Sequence, residues 1–128
     1  MKKLTLLLVI IFTFLFSNTS WGEWSYVTEN GGNKWYYDKD RVRKSGKILY
    51  FWELNDYIKP SERGVLSVTK YVQLDCSIFR FKLLKFQWYK KSMGEGKMTG
   101  LTPPDEWKYP PPKSIMGYFY DRICKKHQ

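Results

Sequence analysis

The stretch Leu66-Ser-Val-Thr-Lys-Tyr-Val-Gln-Leu-Asp75, then Cys76-Ser77, then Ile78-Phe-Arg-Phe-Lys-Leu-Leu-Lys-Phe-Gln-Trp-Tyr89 reads as two long strands folded back on each other. In the first half, Leu66, Val68, Val72 and Leu74 share one parity, and Ser67, Thr69, Tyr71 and Gln73 the other. Period-two alternation of this kind predicts an antiparallel sheet with one buried and one solvated face. The second half breaks the rule. Phe79, Phe81 and Leu83 fall on one parity, Leu84, Phe86 and Trp88 on the other, and a regular strand cannot turn both sets to one face. A one-residue register slip resolves the conflict, so a β-bulge is expected near Leu83-Leu84. The alternative places Leu84, Phe86 and Trp88 on the opposite face, in a dimer contact.

The rest of the chain extends or covers this ribbon. Trp24–Val27 and Lys34–Asp38, joined across Glu29-Asn-Gly-Gly-Asn33, read as a short hairpin. One helical turn is expected within Asp38–Arg43. Ile48–Tyr57 is a strand by its aromatic and branched content, closed by Lys59-Pro60-Ser61-Glu62-Arg63-Gly64. Ser92–Lys97 is a turn. It lacks the G-x-x-x-x-G-K-[S/T] order of a phosphate loop. Thr102–Pro112, with two proline runs, is a stiff extended spacer. Ser114 is a good N-cap for a helix over Ile115–Lys126, whose Ile115, Met116, Phe119, Tyr120 and Ile123 make one apolar stripe. The predicted fold is α+β: a small antiparallel sheet of about five to six strands with one C-terminal helix packed on it.

Lys2 and Lys3, the apolar run Leu4–Phe16 and the small and polar residues up to Gly22 have the order of a secretory signal peptide. The run is shorter than the ~18–20 residues of a membrane-spanning helix. Residues 1–22 are therefore read as removed and 23–128 as a single domain. Losing Lys2 and Lys3 lowers the formal charge from +10 to +8. Such an excess attracts polyanions and also keeps a small exported protein soluble. Cys76 and Cys124, both in the exported part, most economically form one disulfide, worth roughly 4 kcal/mol on a chain-entropy estimate. With no C-x-x-C and a single histidine, His127, a metal site is not supported.

The same poverty of histidine and free thiol removes Ser-His-Asp and Cys-His chemistry. Asp38, Asp40, Glu53 and Asp56 remain, and are read as surface or capping carboxylates. No cofactor and no enzymatic activity are expected. Binding is better supported. Of the six Trp, ten Tyr and eight Phe, those beyond residue 22 are still more than a core of this size hides. The densest mixture of aromatic and basic residues is Arg80, Lys82, Lys85, Trp88, Tyr89, Lys90 and Lys91, which forms the candidate binding patch. Arg, Tyr and Trp suit protein interfaces, and export argues against nucleic acid as the partner.

Several stretches together resemble the surface-adhesin protein E family of Gram-negative bacteria: Gly32-Asn-Lys-Trp-Tyr-Tyr-Asp38, Val42-Arg-Lys-Ser-Gly-Lys-Ile48, Phe51-Trp-Glu-Leu-Asn-Asp-Tyr57, Asp75-Cys76, Arg80-Phe-Lys-Leu-Leu84, Met93-Gly-Glu-Gly-Lys97, Trp107-Lys-Tyr-x-Pro-Pro and Cys124. The resemblance implies an antiparallel sheet crossed by a C-terminal helix, and the Cys76–Cys124 bridge. It also implies adhesin-like recognition of host extracellular-matrix or serum proteins, with homodimerisation as a further mode. The family's adhesin is lipid-anchored, and no lipidation cysteine follows the apolar run here. Periplasmic or secreted residence is therefore expected ahead of outer-membrane display, with envelope proteins as alternative partners. A structural envelope protein acting through homo-oligomerisation is the competing reading.

Overall fold

The computed structural model describes residues 23–128, and the segment read as a signal peptide lies outside them. Seven strands form one antiparallel sheet: β1 (Ser25–Asn30), β2 (Asn33–Tyr37), β3 (Arg43–Ser45), β4 (Ile48–Asp56), β5 (Ser67–Asp75), β6 (Arg80–Tyr89) and β7 (Met98–Leu101). They run in the order β1-β2-β4-β5-β6-β7, with β3 paired to β4. One edge of β4 is thus shared: Glu53–Asp56 pairs with β2 and Ile48–Tyr50 with β3. The 3₁₀ turn Lys39–Arg41 carries the chain from one to the other. Helix α1 (Ile115–Lys126) follows the proline-rich segment, which touches the edge of β6 through a bridge between Phe81 and Lys108. No helix among the described residues is long and apolar enough to cross a membrane.

The parity conflict in β6 is resolved by a bulge. Tyr71 faces Lys85 but Val72 faces Leu83, so Leu84 is the extra residue. Phe81, Leu83, Phe86 and Trp88 thereby join Val68, Val72 and Leu74 on one side of the sheet. The alternative reading, with Phe86 and Trp88 on the far face, does not hold. The seven strands are one more than the upper end of the expected five to six, and two of them were not placed from the sequence. These are β3 and β7, three and four residues long and exposed throughout.

α1 covers the apolar face. Ser114 caps it, its Oγ accepting from Gly117 N at 3.0 Å. Phe119, Tyr120, Ile123 and Cys124 are buried against Tyr37, Leu49, Phe51, Val72, Leu74 and Phe81. Phe119 lies 5.3 Å from the Trp35 ring, and Tyr120 lies 5.1 Å from Phe81. Each large apolar side chain so buried contributes about 1.5–3 kcal/mol. Cys124, in the last turn, is bonded to Cys76 with their Cα atoms 5.8 Å apart, which ties the helix to the β5–β6 corner.

Two carboxylates read as surface groups are buried. Glu53 is fully buried on the helix side, and Asp38 is 3% exposed. Tyr120 donates to Glu53 Oε1 at 2.6 Å, Asn55 Nδ2 donates to Oε2 at 3.1 Å, and Lys70 Nζ lies 3.9 Å from Oε2. Burial, the Glu53 charge and this hydrogen bond push the Tyr120 phenol well above its ordinary pKa, so it stays protonated and donates. Asp56 is a capping carboxylate as expected, accepting from Met93 N at 2.8 Å. A further correction concerns the face expected to be wet. Ser67 and Thr69 are fully buried there, under the 3₁₀ turn Ser92–Gly94. Gly94 N donates to Ser67 Oγ at 2.9 Å, with a positive φ of 71° that suits glycine.

The β5–β6 corner depends on Asp75. Its Oδ1 accepts from Ser77 N (3.0 Å), Ser77 Oγ (2.7 Å) and Ile78 N (3.2 Å), and its Oδ2 from Arg80 Nε (3.1 Å). Burial alone would raise the carboxyl's pKa, but the bonds from Ser77, Ile78 and Arg80 outweigh it and hold the value below the usual range. A depressed folded-state pKa contributes stability that is present above the unfolded value of ~3.9 and lost as pH falls through the folded one. Asp75→Ala is therefore expected to cost about 2 kcal/mol at neutral pH, the scale of hydrogen bonds to a charged group. It is also expected to flatten the decline in stability below pH 4. Urea titrations between pH 2.5 and 7 check both, and an unchanged acid limb would refute the assignment.

Candidate binding face

Among the described residues, the face of the sheet opposite α1 is only partly covered. The 3₁₀ turn Ser92–Gly94 shields the end built from Leu54, Ser67 and Thr69. There Thr69 Oγ1 lies 3.1 Å from Gln87 Oε1, which also accepts from Tyr89 OH at 3.1 Å. Toward the Cys76 end, the register brings Tyr50, Trp52, Tyr71 and Gln73 beside Arg43, Lys82 and Lys85. The three aromatic rings form a row across β4 and β5. Trp52 lies 5.1 Å from Tyr71, and Tyr71 lies 6.5 Å from Tyr50. Cations sit at both ends of the row, Arg43 at 4.2 Å from the Tyr50 centroid and Lys85 at 6.0 Å from Trp52.

The bulge at Leu84 matters for this face as much as for the core. On a regular strand Lys82 and Lys85 would point to opposite sides. The extra residue turns Arg80, Lys82 and Lys85 to the same side. Beyond Lys82, the proline-rich segment lays Trp107 against the strand. Arg80 lies 4.1 Å and Lys82 4.7 Å from the ring centroid, and Lys82 Nζ pairs with Asp105 at 2.8 Å.

The seven residues of the sequence-derived patch therefore divide. Arg80, Lys82 and Lys85 stand together on the open face. Tyr89 points to that side but is 4% exposed, its hydroxyl engaged by Gln87 and Thr69. Trp88 lies on the helix side, packed against Phe86 at 5.7 Å. Lys90 and Lys91 are exposed past the end of β6, and Lys90 Nζ bonds to Arg63 O. Sequence reasoning did not single out Arg43, Tyr50, Trp52 and Trp107. For Tyr50 and Trp52 the signal was present: they alternate with Leu49, Phe51 and Glu53, so a strand must turn them away from the core. Among the described residues, no group of three or more His, Cys, Asp or Glu side chains is placed to hold a metal ion.

A sequence profile of the family described as surface-adhesin protein E matches residues 24–125. The chain belongs to the surface-adhesin protein E family. The match spans every strand and nearly all of α1. Solved structures of Haemophilus influenzae protein E share the fold. Crystal form II aligns with a TM-score of 0.61 at 16% identity, over 81% of this chain and 88% of that one. The protein E of a non-typeable strain aligns at 0.57 and 16% identity, over 83% and 79%. No curated protein matches in sequence. At this identity the likeness to protein E carries the architecture, an adhesin-family sheet with a helix across one face.

Proposed function

We propose that this member of the adhesin E family is an exported, non-catalytic binding domain that recognises protein partners through its open sheet face. The observation that carries the reading is the row Tyr50, Tyr71 and Trp52, flanked by Arg43 and Lys85 on a rigid β scaffold. Aromatic and arginine side chains held in fixed geometry lose little entropy on binding and dominate protein interfaces. The fully buried carboxylate, Glu53, is engaged by Tyr120, Asn55 and Lys70 inside the core, which supports a structural role for it. The signal-like N-terminus and the disulfide support export to the periplasm or the medium.

Purified protein immobilised against envelope extracts and extracellular-matrix proteins tests the proposal. Trp52→Ala with Tyr71→Ala is expected to abolish capture of whatever partner the parent retains, with far-UV circular dichroism and a cooperative unfolding transition confirming the fold. Undiminished capture would overturn the choice of face. Exposed Met98 and Leu101 on the edge strand β7 favour a second reading, a structural envelope protein that self-associates. A concentration-independent monomer in sedimentation velocity would remove it.

A further inference from the structure

The geometry points to a partner segment of defined chemistry: an extended acidic stretch with interspersed aromatic residues, laid across the row from Arg43 to Lys85. This inference rests on the open face being the binding site. Its warrant is a contact the chain already makes with itself. Within Thr102–Pro112, Asp105 pairs with Lys82 and Trp107 lies on Arg80 and Lys82. An acidic-aromatic sequence, Asp105-Glu106-Trp107, thus occupies the half of the face near Arg80. Asp105 is 82% exposed, so it is held there by the cation and not by packing.

The other half offers the same chemistry without an acidic segment on it among the described residues. Arg43 and Lys85 are exposed, and neither has a carboxylate at ion-pair distance among the described residues. Their strands lie three inter-strand gaps apart, about 14 Å at the usual spacing, or four to five residues of extended chain. Between them, Tyr50 and Tyr71 give ring faces of the kind Trp107 shows beside Lys82. A segment with carboxylates at its two ends and an aromatic residue between matches both charge and surface. The contact is solvent-exposed and electrostatic, so salt weakens it.

A fluorescein-labelled peptide of two Asp-Glu-Trp units tests this by anisotropy, beside an Asn-Gln-Trp analogue and heparin. The full exported protein is expected to bind the acidic peptide at least tenfold more tightly than the neutral one, and more weakly in 0.5 M salt. Arg43→Glu with Lys85→Glu is expected to lower that affinity at least tenfold, without moving the unfolding midpoint. Asp105→Ala, which frees Lys82, is expected to raise it several-fold. Equal binding of both peptides, or binding of heparin alone, overturns the inference. Loss of a captured partner in the Trp52/Tyr71 variant, together with no acidic-peptide binding, leaves the face standing and rejects this chemistry alone. Intact capture in that variant rejects the face itself.

Discussion

Glu53→Ala is expected to lower the unfolding free energy by about 3–5 kcal/mol, the range for removing one partner of a buried ion pair. Glu53 is fully buried, and three groups converge on it from β4, β5 and α1. Alanine leaves the Tyr120 hydroxyl and Asn55 amide without their acceptor, each an unmet polar group in a dry site. It also leaves Lys70, whose side chain is only 13% exposed, with no counter-charge. The rings of Trp35 and Phe86, 5.7 and 5.8 Å from Lys70 Nζ, offset part of that loss. The charge term separates from the hydrogen-bond term by substitution chemistry. Glu53→Gln keeps an acceptor for Tyr120 and is expected to cost less than alanine. Glu53→Leu combined with Lys70→Met removes both charges and is expected to be milder than Glu53→Leu alone. Urea unfolding of these variants and of Lys70→Met alone closes the double-mutant cycle and gives the coupling energy. A double variant whose cost equals the sum of Glu53→Leu and Lys70→Met would show that Lys70 and Glu53 are energetically independent.

The ribbon was legible because strands announce themselves by parity. Val68, Val72 and Leu74 on one phase marked the buried face of β5, and the phase change between Leu83 and Leu84 located the bulge to that pair of residues. α1 was legible from its N-cap and its four-residue apolar spacing. β3 and β7 were not, for a different reason in each. Arg43-Lys-Ser45 carries no apolar phase and is a strand because β4 offers it an edge. Met98-Thr-Gly-Leu101 is too short and contains glycine, and owes its conformation to pairing with Phe86–Tyr89. Glu53 illustrates a deeper limit. A carboxylate in a strand reads as solvated, and what buries it is Tyr120, 67 positions away on another element. The candidate face was legible only in part for the same reason. Lys82 and Lys85 were visible as a charge run, but Trp107 reaches them only because the proline-rich segment folds back along β6.

Removing the Cys76–Cys124 bond is expected to cost about 4 kcal/mol, the chain-entropy value for a loop of this length. For a domain of about 100 residues, where 1 kcal/mol moves the midpoint by roughly 4–8 °C, the melting temperature then falls by some 15–30 °C. The sulfur atoms close a separation of 48 residues that contains β6, β7 and the proline-rich segment. In the unfolded chain the bond restrains all of that length. In the folded one it joins the corner held by Asp75 to the last turn of α1. Apolar contacts of Phe119, Tyr120 and Ile123 persist without it, so the helix is expected to stay docked and the sheet to keep its register. The cost should therefore appear in the midpoint of unfolding and not in the native spectrum. The double variant Cys76→Ala with Cys124→Ala avoids a stray thiol and is the cleaner test. Urea unfolding of that variant, and of the parent with and without reductant, should give two coincident weakened curves and one strong one. A weakened native near-UV spectrum in the variant would instead show that the bond orders the helix directly. A loss below about 1 kcal/mol would mean that Phe119, Tyr120 and Ile123 already restrain the unfolded chain as the disulfide does.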